Sequence, residues 1–434
     1  NDIISGNIGM DLDDFDYWGY QLYDTAQASF GHILINDNNI TADGNGIEHS
    51  EINEHAYQVH DMAMVTIGTT QFCRNSIQAG DAGMDLDDFD WWGEQLHGSP
   101  TVVIGDTYIN DNIINASGDG ICHRGFQYHG WYVRDDASLT RGIIQFQRND
   151  IDADANGIEL INTYNWARHM NGTTSCKLGR LSVGYNTIDA AAAGIYVDNL
   201  QLFMDGVINE TAAAVIASIT IDNNTIHNGT DGVVMQRVDG QPALNESGLL
   251  SFRGISIENN TIFDCLGSPS GIHLNGTTNL SVHRNHIDNC AHGIYLQNSS
   301  NCSITYNWIE NNTAASTGAH LDADSHDNEV HYNCFIENVE QAYDDGLRND
   351  WDTNYWSDYT GTPSYYMIPA GSAGTQDTSP LGYCPLRGEP PCGVGGEVLP
   401  VNILELLAPY IFIVASAVAL IAGVTFGWYY KKKR

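Results

Sequence analysis

Basic side chains are scarce. The 434-residue chain holds 17 Lys and Arg against 54 Asp and Glu, a formal charge of −37. Four of those cations are the closing run Lys431, Lys432, Lys433 and Arg434, and Lys177 is the one other lysine. Such a surface repels nucleic acid and anionic lipid, so no nucleic-acid partner is expected. It suits metal cations, a high-salt setting or plain solubility. Helical periodicity is also missing until the C-terminus, which removes helix-based folds from consideration for the bulk of the chain. No Cys-x-x-Cys or Cys-x-x-Cys-His occurs among the nine cysteines, which excludes haem attachment and zinc ribbons.

What is present is a repeat. Asn-x-Ile, once Asn-x-Phe, recurs from Asn1, Asn38, Asn75, Asn112, Asn149, Asn186, Asn224, Asn260, Asn285, Asn307 and Asn333. The first steps are mostly 37 residues and the last three are 25, 22 and 26. A Gly-apolar pair follows in most units, as in Gly46-Ile47, Gly120-Ile121 and Gly293-Ile294. A fixed period means one unit stacked on itself. The units are short apolar-alternating strands broken by Asn, Asp and Gly, which predicts an all-β fold, a parallel β-helix of about 10–11 coils. With adjacent coils about 4.8 Å apart, the rod is about 50 Å long. The Asn is read as scaffold, a left-handed corner residue or a hydrogen-bonded ladder. The Gly is read as a corner residue.

The period has two scales. Residues 1–223 form a long-coil half and 224–350 a short-coil half, followed by a cap at 351–372 and a Pro/Gly-rich stalk at 373–402. The surplus of the long units falls after the Gly-apolar strand, and inserts at one position emerge on one flank. Two inserts are near copies, GMDLDDFDYWGYQL at 9–22 and GMDLDDFDWWGEQL at 83–96. A two-coil duplication therefore lies within the one-coil repeat.

Residues 403–430 are read as a transmembrane helix: 406–430 carry no charge, long enough to span a bilayer, and Trp428, Tyr429 and Tyr430 precede the basic tail 431–434. The positive-inside rule places that tail in the cytoplasm and the repeat outside, single-pass, at the outer face of the cytoplasmic membrane. Thirteen Asn-x-Ser/Thr sites support an exterior carrying N-linked glycans: Asn39, Asn115, Asn171, Asn209, Asn223, Asn228, Asn245, Asn259, Asn275, Asn279, Asn298, Asn301 and Asn311. Cys265 and Cys290 stand one short coil apart and are expected to bridge neighbouring coils; Cys384 and Cys392 are expected to clip the stalk. The chain begins inside a repeat unit, so upstream sequence carrying an export signal is expected.

The stretch Asn354-Tyr355-Trp356-Ser357-Asp358-Tyr359 resembles the end of NosD-like β-helix proteins, and residues 293–312 resemble their repeats. The resemblance covers about 220–360 well and the long-coil half through its period alone. It implies a right-handed, pectin-lyase-like parallel β-helix exported from the cell. Archaeal surface proteins with an acidic exterior, sequons and a C-terminal helix are similar too. The copper role attached to the NosD name does not transfer, because no Met-rich or paired-His motif is present.

Candidate chemistry falls mostly on the inserts. Asp11, Asp13, Asp14 and Asp16, repeated as Asp85, Asp87, Asp88 and Asp90, suit Ca²⁺ as alternate carboxylates on an irregular loop; a solvated acidic loop is the plain alternative. Trp18, Trp91, Trp92, Trp131 and Trp166 are candidate interface aromatics, for a second copy, neighbouring loops or sugars, against a satellite core. The loop histidines His49, His55, His60, His123, His129 and His169 are expected to be solvated, with transition-metal binding the alternative. Asp324-Ser325-His326-Asp327 resembles the Asp-Pro-His-Asp of alginate-type epimerases without its Pro, which makes Asp324, His326 and Asp327 weak catalytic candidates beside Arg348. Asp344-Asp345 has the look of a hydrolase pair without flanking signatures. The leading expectation is a non-enzymatic, membrane-anchored surface subunit, of S-layer, sheath or filament type, a homo-oligomer or lattice assembled through loops. The alternative is a surface protein that binds or modifies polysaccharide.

Overall fold

The computed structural model describes residues 1–386 apart from 13–17, 20, 50–54, 88–91, 126, 128, 165, 167–168, 202–206, 209–210, 240–248, 268–269, 313–316 and 370, and none of 387–434. The expected membrane helix at 403–430, the basic tail and Cys392 lie outside these residues. Among the described residues no helix is long and apolar enough to cross a membrane.

Asn1–Cys392 form one compact unit, an all-β, right-handed parallel solenoid. Successive rungs contribute one strand each to three long sheets, of 12, 11 and 11 strands, the last rung entering the 12-stranded sheet alone. The ladder sheet runs from Asp2–Ser5 to Tyr355–Trp356 and the platform sheet from Met10–Asp11 to Glu340–Asp344. The third sheet runs from Ile33–Asn36 to Asp350–Asp352. Registers join equivalent positions of successive rungs. The inward column of the ladder sheet is Ile40, Ile77, Ile114, Ile151 and onward to Phe335 and Trp356, all buried. Each such side chain contributes about 1.5–3 kcal/mol on leaving water, and only a neighbouring rung removes it from water.

The recurring Asn sits beside the corner and not at it. The left-handed residue is the one before: Asp37, Arg74, Asp111, Arg148, Tyr185, Asn223, Asn259, Arg284, Tyr306, Tyr332 and Thr353 all have positive φ. The Asn then turns inward and spends its whole amide on neighbours. Asn149 Oδ1 accepts from the backbone N–H of Asn112 at 3.1 Å and from Asn112 Nδ2 at 2.9 Å. Its own Nδ2 donates to Ile109 O at 2.9 Å and to Asn186 Oδ1 at 3.0 Å. The same pattern runs on through Asn333 to Asn354. The ladder ends on a carboxylate, with Asn354 N donating to Asp377 Oδ2 at 2.9 Å.

The glycine of the Gly-apolar pair is also no corner device. A Cβ on Gly120 would stand 2.3 Å from Ile151 Cγ2 and 2.5 Å from Gly157 O. The ladder-sheet isoleucine of the next rung occupies the space a side chain would need.

The long units do not project loops from a short coil. Much of their surplus is a fourth wall, a seven-stranded parallel sheet from Gln27–Phe30 to Leu249–Phe252. Short strands such as His60–Asp61, His97–Gly98 and Tyr132–Val133 close the gap between platform and fourth wall. The fourth wall outlasts the boundary expected at residue 223.

The cap explains the Asn-Tyr-Trp-Ser-Asp-Tyr stretch residue by residue. Asn354 is a ladder rung, and Trp356 takes the place of the ladder-sheet isoleucine. Ser357 Oγ accepts from Glu337 N at 3.0 Å, and Asp358 accepts from Tyr366 OH at 3.0 Å. Packing continues beyond residue 372, where Tyr366–Met367 pairs with Gln376–Asp377 and Leu381 bridges to Tyr355. Cys384 pairs with Cys334, 50 residues away, and so is not available to Cys392. Cys265 and Cys290 are buried free thiols with no bridge between them, although the Cys290 thiol is pushed well up by its hydrogen bond with Cys265 and by burial.

Candidate functional site

Strand alternation decides what the platform sheet shows to solvent. The apolar residue of each Gly-apolar pair points inward, so the residue after it points outward. Register joins these outward positions into one column: Asp11, Glu48, Asp85, Cys122, Glu159, Tyr196, Val234, His273, Tyr295, His320 and Tyr343. The column is acidic at its start and ring-bearing at its end.

In the acidic part Arg124 reaches Asp85 at 3.2 Å and Asp87 at 3.4 Å. Asn45 Nδ2 donates to Glu48 Oε2 at 2.9 Å. Cys122 donates to Glu159 Oε2 at 3.2 Å. Burial pushes the Asp85 carboxyl up, with Asp87 adding to it. Burial likewise raises Glu159 and Cys122, so the latter stays a thiol. Asp119, Cys122 and Glu159 bring their ligand atoms within 4.8 Å of one another, the one such grouping among the described residues.

In the ring-bearing part His273 stacks on Tyr295 at 5.1 Å and His320 on Tyr343 at 4.3 Å. Between the two pairs Tyr295 and His320 meet edge to face at 4.8 Å. Tyr295, His320 and Tyr343 stay partly exposed, while His273 is buried beneath its neighbours. Flanking columns are polar as well. On one side lie Ser270, His292 and Thr317, where Thr317 N donates to His292 Nδ1 at 3.3 Å. On the other lie Asn275 and Gln297 in register, and then Asp322, whose Oδ1 accepts from Asn298 N at 3.0 Å.

Burial lowers His273 and His320 and brings His292 down to about 4. A lowered imidazole is neutral in the folded chain while its unfolded counterpart titrates near 6.5. No stability is lost above about pH 6.5; below it the unfolded state gains protons that the folded state resists. Asp231, raised to about 6 by burial, opposes this in part, since the folded state holds its proton more tightly. Melting temperature is therefore expected to fall as pH drops from about 6.5 towards 4, and His292→Gln should flatten the slope. A melting temperature independent of pH across that window would contradict the assignment.

The insert residues are placed differently from expectation. Trp92 and Trp166 are buried, and so are His49, His55, His123 and His129. Trp18, His55, Trp92, His129 and Trp166 form a single stack, with ring centroids 5.1, 5.1, 5.6 and 5.4 Å apart. The two-coil duplication is what alternates Trp with His along it. Trp92 and Trp166 are therefore interior side chains and not lateral contacts, and these four histidines are not solvated. Trp131 stacks on Tyr132 at 4.8 Å. His60 and His169 keep partly exposed places, stacked on His97 and Tyr132. Trp91 lies outside the described residues.

Of the proposed calcium ligands, Asp85 and Asp87 stand on the strand Met84–Asp87 and hold Arg124; Asp11 ends the strand Met10–Asp11. Asp13, Asp14, Asp16, Asp88 and Asp90 lie outside the described residues. Of the catalytic candidates, His326 Nδ1 meets Asp327 at 2.8 Å and Arg348 grips Asp327 through two 2.6 Å contacts. Arg348 and His326 hold the Asp327 carboxyl far below the usual range, which makes it a poor base. Asp324 is exposed, and its backbone N–H donates to Asp322 Oδ1 at 3.2 Å, away from the pair. Asp344 is buried and accepts from Trp351 Nε1 at 2.9 Å and Asn349 Nδ2 at 2.9 Å, a cap role. Among the sequons, Asn39, Asn115, Asn228, Asn298 and Asn301 are exposed. Asn171, Asn223, Asn259, Asn275, Asn279 and Asn311 are half-buried, and Asn209 and Asn245 are outside the described residues.

The ring column itself is missing from the sequence reading. Its signal was available: His273, Tyr295, His320 and Tyr343 each follow the inward apolar residue at the same step.

A family described as "Periplasmic copper-binding protein (NosD)" matches residues 105–361. No curated protein matches the sequence. Among solved structures, a mutant of the periplasmic alginate epimerase AlgG is 14% identical, covering 71% of this chain and 76% of its own, with a TM-score of 0.28. A double mutant of AlgG is 12% identical, covering 79% and 78%, with a TM-score of 0.27. Superposition this loose carries none of AlgG's chemistry to this chain.

Proposed function

The chain belongs to the NosD family, and from that premise we propose that it is a cell-exterior β-helix protein that binds a carbohydrate polymer along its platform sheet. The family's description places it in the periplasm. The observation that carries the reading is the ring-bearing stretch. Across successive rungs, Tyr295, His320 and Tyr343 and the flanking Asn275, Gln297 and Asp322 are partly exposed hydrogen-bonding side chains on a rigid sheet, repeating about every 4.8 Å. A polymer rich in hydroxyls is the ligand that can use such a row of N–H, O–H and carbonyl groups. The scarcity of cations argues for a neutral chain over a polyanion.

Copper is what the family description names, and the convergent donors among the described residues do not fit it. The convergent donors Asp119, Cys122 and Glu159 are one thiol and two carboxylates. Copper centres favour imidazole and several soft sulfur ligands. The lattice-subunit reading loses two of its contact side chains, because Trp92 and Trp166 are inside the rod. The charge-free stretch 406–430 supports an anchor that would hold the rod at the membrane, and the exposed sequons support N-glycans on its surface.

The test is calorimetric titration with soluble neutral polysaccharides. Tyr295→Ala combined with His320→Ala should weaken binding at least about tenfold, since each lost hydrogen bond is worth about 0.5–1.5 kcal/mol. Tyr332→Ala, on an exposed corner, is the control. Equal affinity in all three proteins would sink the proposal, as would the absence of binding to any neutral glycan.

A further inference from the structure

Among the described residues, one rung of the rod holds an arginine in its interior. On the rung that starts at Asn112, three inward positions are His123, His129 and Arg141. The rung before has Leu86, Trp92 and Ile104 at these places, and the rung after has Leu160, Trp166 and Leu178. All three are buried, Arg141 at 3% exposure and both histidines at 0%. Burial drives His123 far down, with Arg141 adding to the effect, so that imidazole is neutral. Arg141 falls only to about 9 and keeps its charge at neutral pH.

The partners of Arg141 are all uncharged. Nη1 donates to Gly142 O at 3.3 Å and Nη2 to Thr107 Oγ1 at 3.3 Å, both long. The guanidinium lies over Trp92, 4.8 Å from the ring centroid. Its Nε is buried without a partner. Among the described residues no carboxylate stands within ion-pair distance of it, and Asp106 acts on it only through space. On the next rung two further buried hydroxyls, Thr163 and Thr174, have no hydrogen-bond partner. A buried cation with an unused N–H calls for an anion.

We propose that this rung encloses a small inorganic anion, a halide, held against the Nε–H of Arg141. A spherical monovalent ion balances one guanidinium and accepts from N–H and O–H donors in any direction. The ion stabilises the folded rod and takes no part in glycan binding on the outer face, so the two proposals fail separately.

The experiment is a melting series of the full chain in sodium chloride exchanged for sodium gluconate at constant ionic strength. Above the dissociation constant, each tenfold rise in chloride should raise the folded-to-unfolded ratio about tenfold. Arg141→Leu, which matches Ile104 and Leu178 above and below, should abolish the dependence. The same chloride dependence in both proteins, or none in the native chain, overturns the proposal. Should Arg141→Leu fail to fold, crystals of the native chain grown in bromide decide: an anomalous peak beside Nε supports the site, and water alone there overturns it.

Discussion

Asn149→Ala is expected to lower stability by at least about 3 kcal/mol, because three buried groups lose their partners at once. The stranded groups are the backbone N–H of Asn112, one N–H of the Asn112 amide and the carbonyl of Ile109. Each costs about 1–3 kcal/mol when left unsatisfied inside a protein. Asp at this position should do no better, since it keeps the acceptor but buries a charge and removes the donor to Ile109. The neighbouring change Asp150→Ala, on the exposed side of the same strand, should stay within about 0.5 kcal/mol. The loss should also be local. Each rung touches only its neighbours, so a broken ladder at Asn149 divides the rod into two stretches that melt apart. Urea unfolding followed by hydrogen exchange reads both effects. A loss below about 1 kcal/mol, or a single cooperative transition of unchanged midpoint, would show that the ladder amides are replaceable.

The features legible in the sequence are those where a residue touches its own counterpart on the next rung. Asn149 must match Asn112 and Asn186, and Gly120 must leave room for Ile151, so type and spacing are both constrained. The left-handed corner was not legible. Arg74, Tyr185 and Thr353 adopt it because the ladder on one side and the third sheet on the other over-determine the backbone there. No residue type marks such a position. The fourth wall was misread for another reason. Its linking segments carry Trp, His and Asp, a composition that looks exposed, and only stacking across rungs turns His55 and His129 into spacers between tryptophans. The pairing of Cys384 with Cys334 depends on a chain reversal after Tyr366–Met367 that spacing cannot supply. The ring column was hidden by uneven coil lengths, which shift His273, Tyr295, His320 and Tyr343 out of any fixed period.

Trp356→Ala is expected to cost about 3–5 kcal/mol and to change how the protein associates. The indole is 1% exposed and lies between Phe335 at 4.5 Å and Tyr366 at 4.3 Å. Its Nε1 donates to Asp377 Oδ2 at 2.9 Å, the same carboxylate that ends the Asn ladder. Truncation opens a cavity under Tyr366 and removes one donor from a buried carboxylate. Trp356→Phe keeps the stack and loses the donor alone, so it should cost about 1–3 kcal/mol. The two variants should also differ in kind. With the stack gone, the hairpin of Tyr366–Met367 and Gln376–Asp377 loses its footing, and the last strands of the ladder and third sheets become open edges. Open parallel edges pair with other chains, so light scattering of Trp356→Ala should rise on mild heating while that of Trp356→Phe should not. Equal stability loss in both variants would place the energy in the hydrogen bond instead of the stack. Unchanged scattering in Trp356→Ala would mean that the Cys334–Cys384 bridge alone keeps the cap in place.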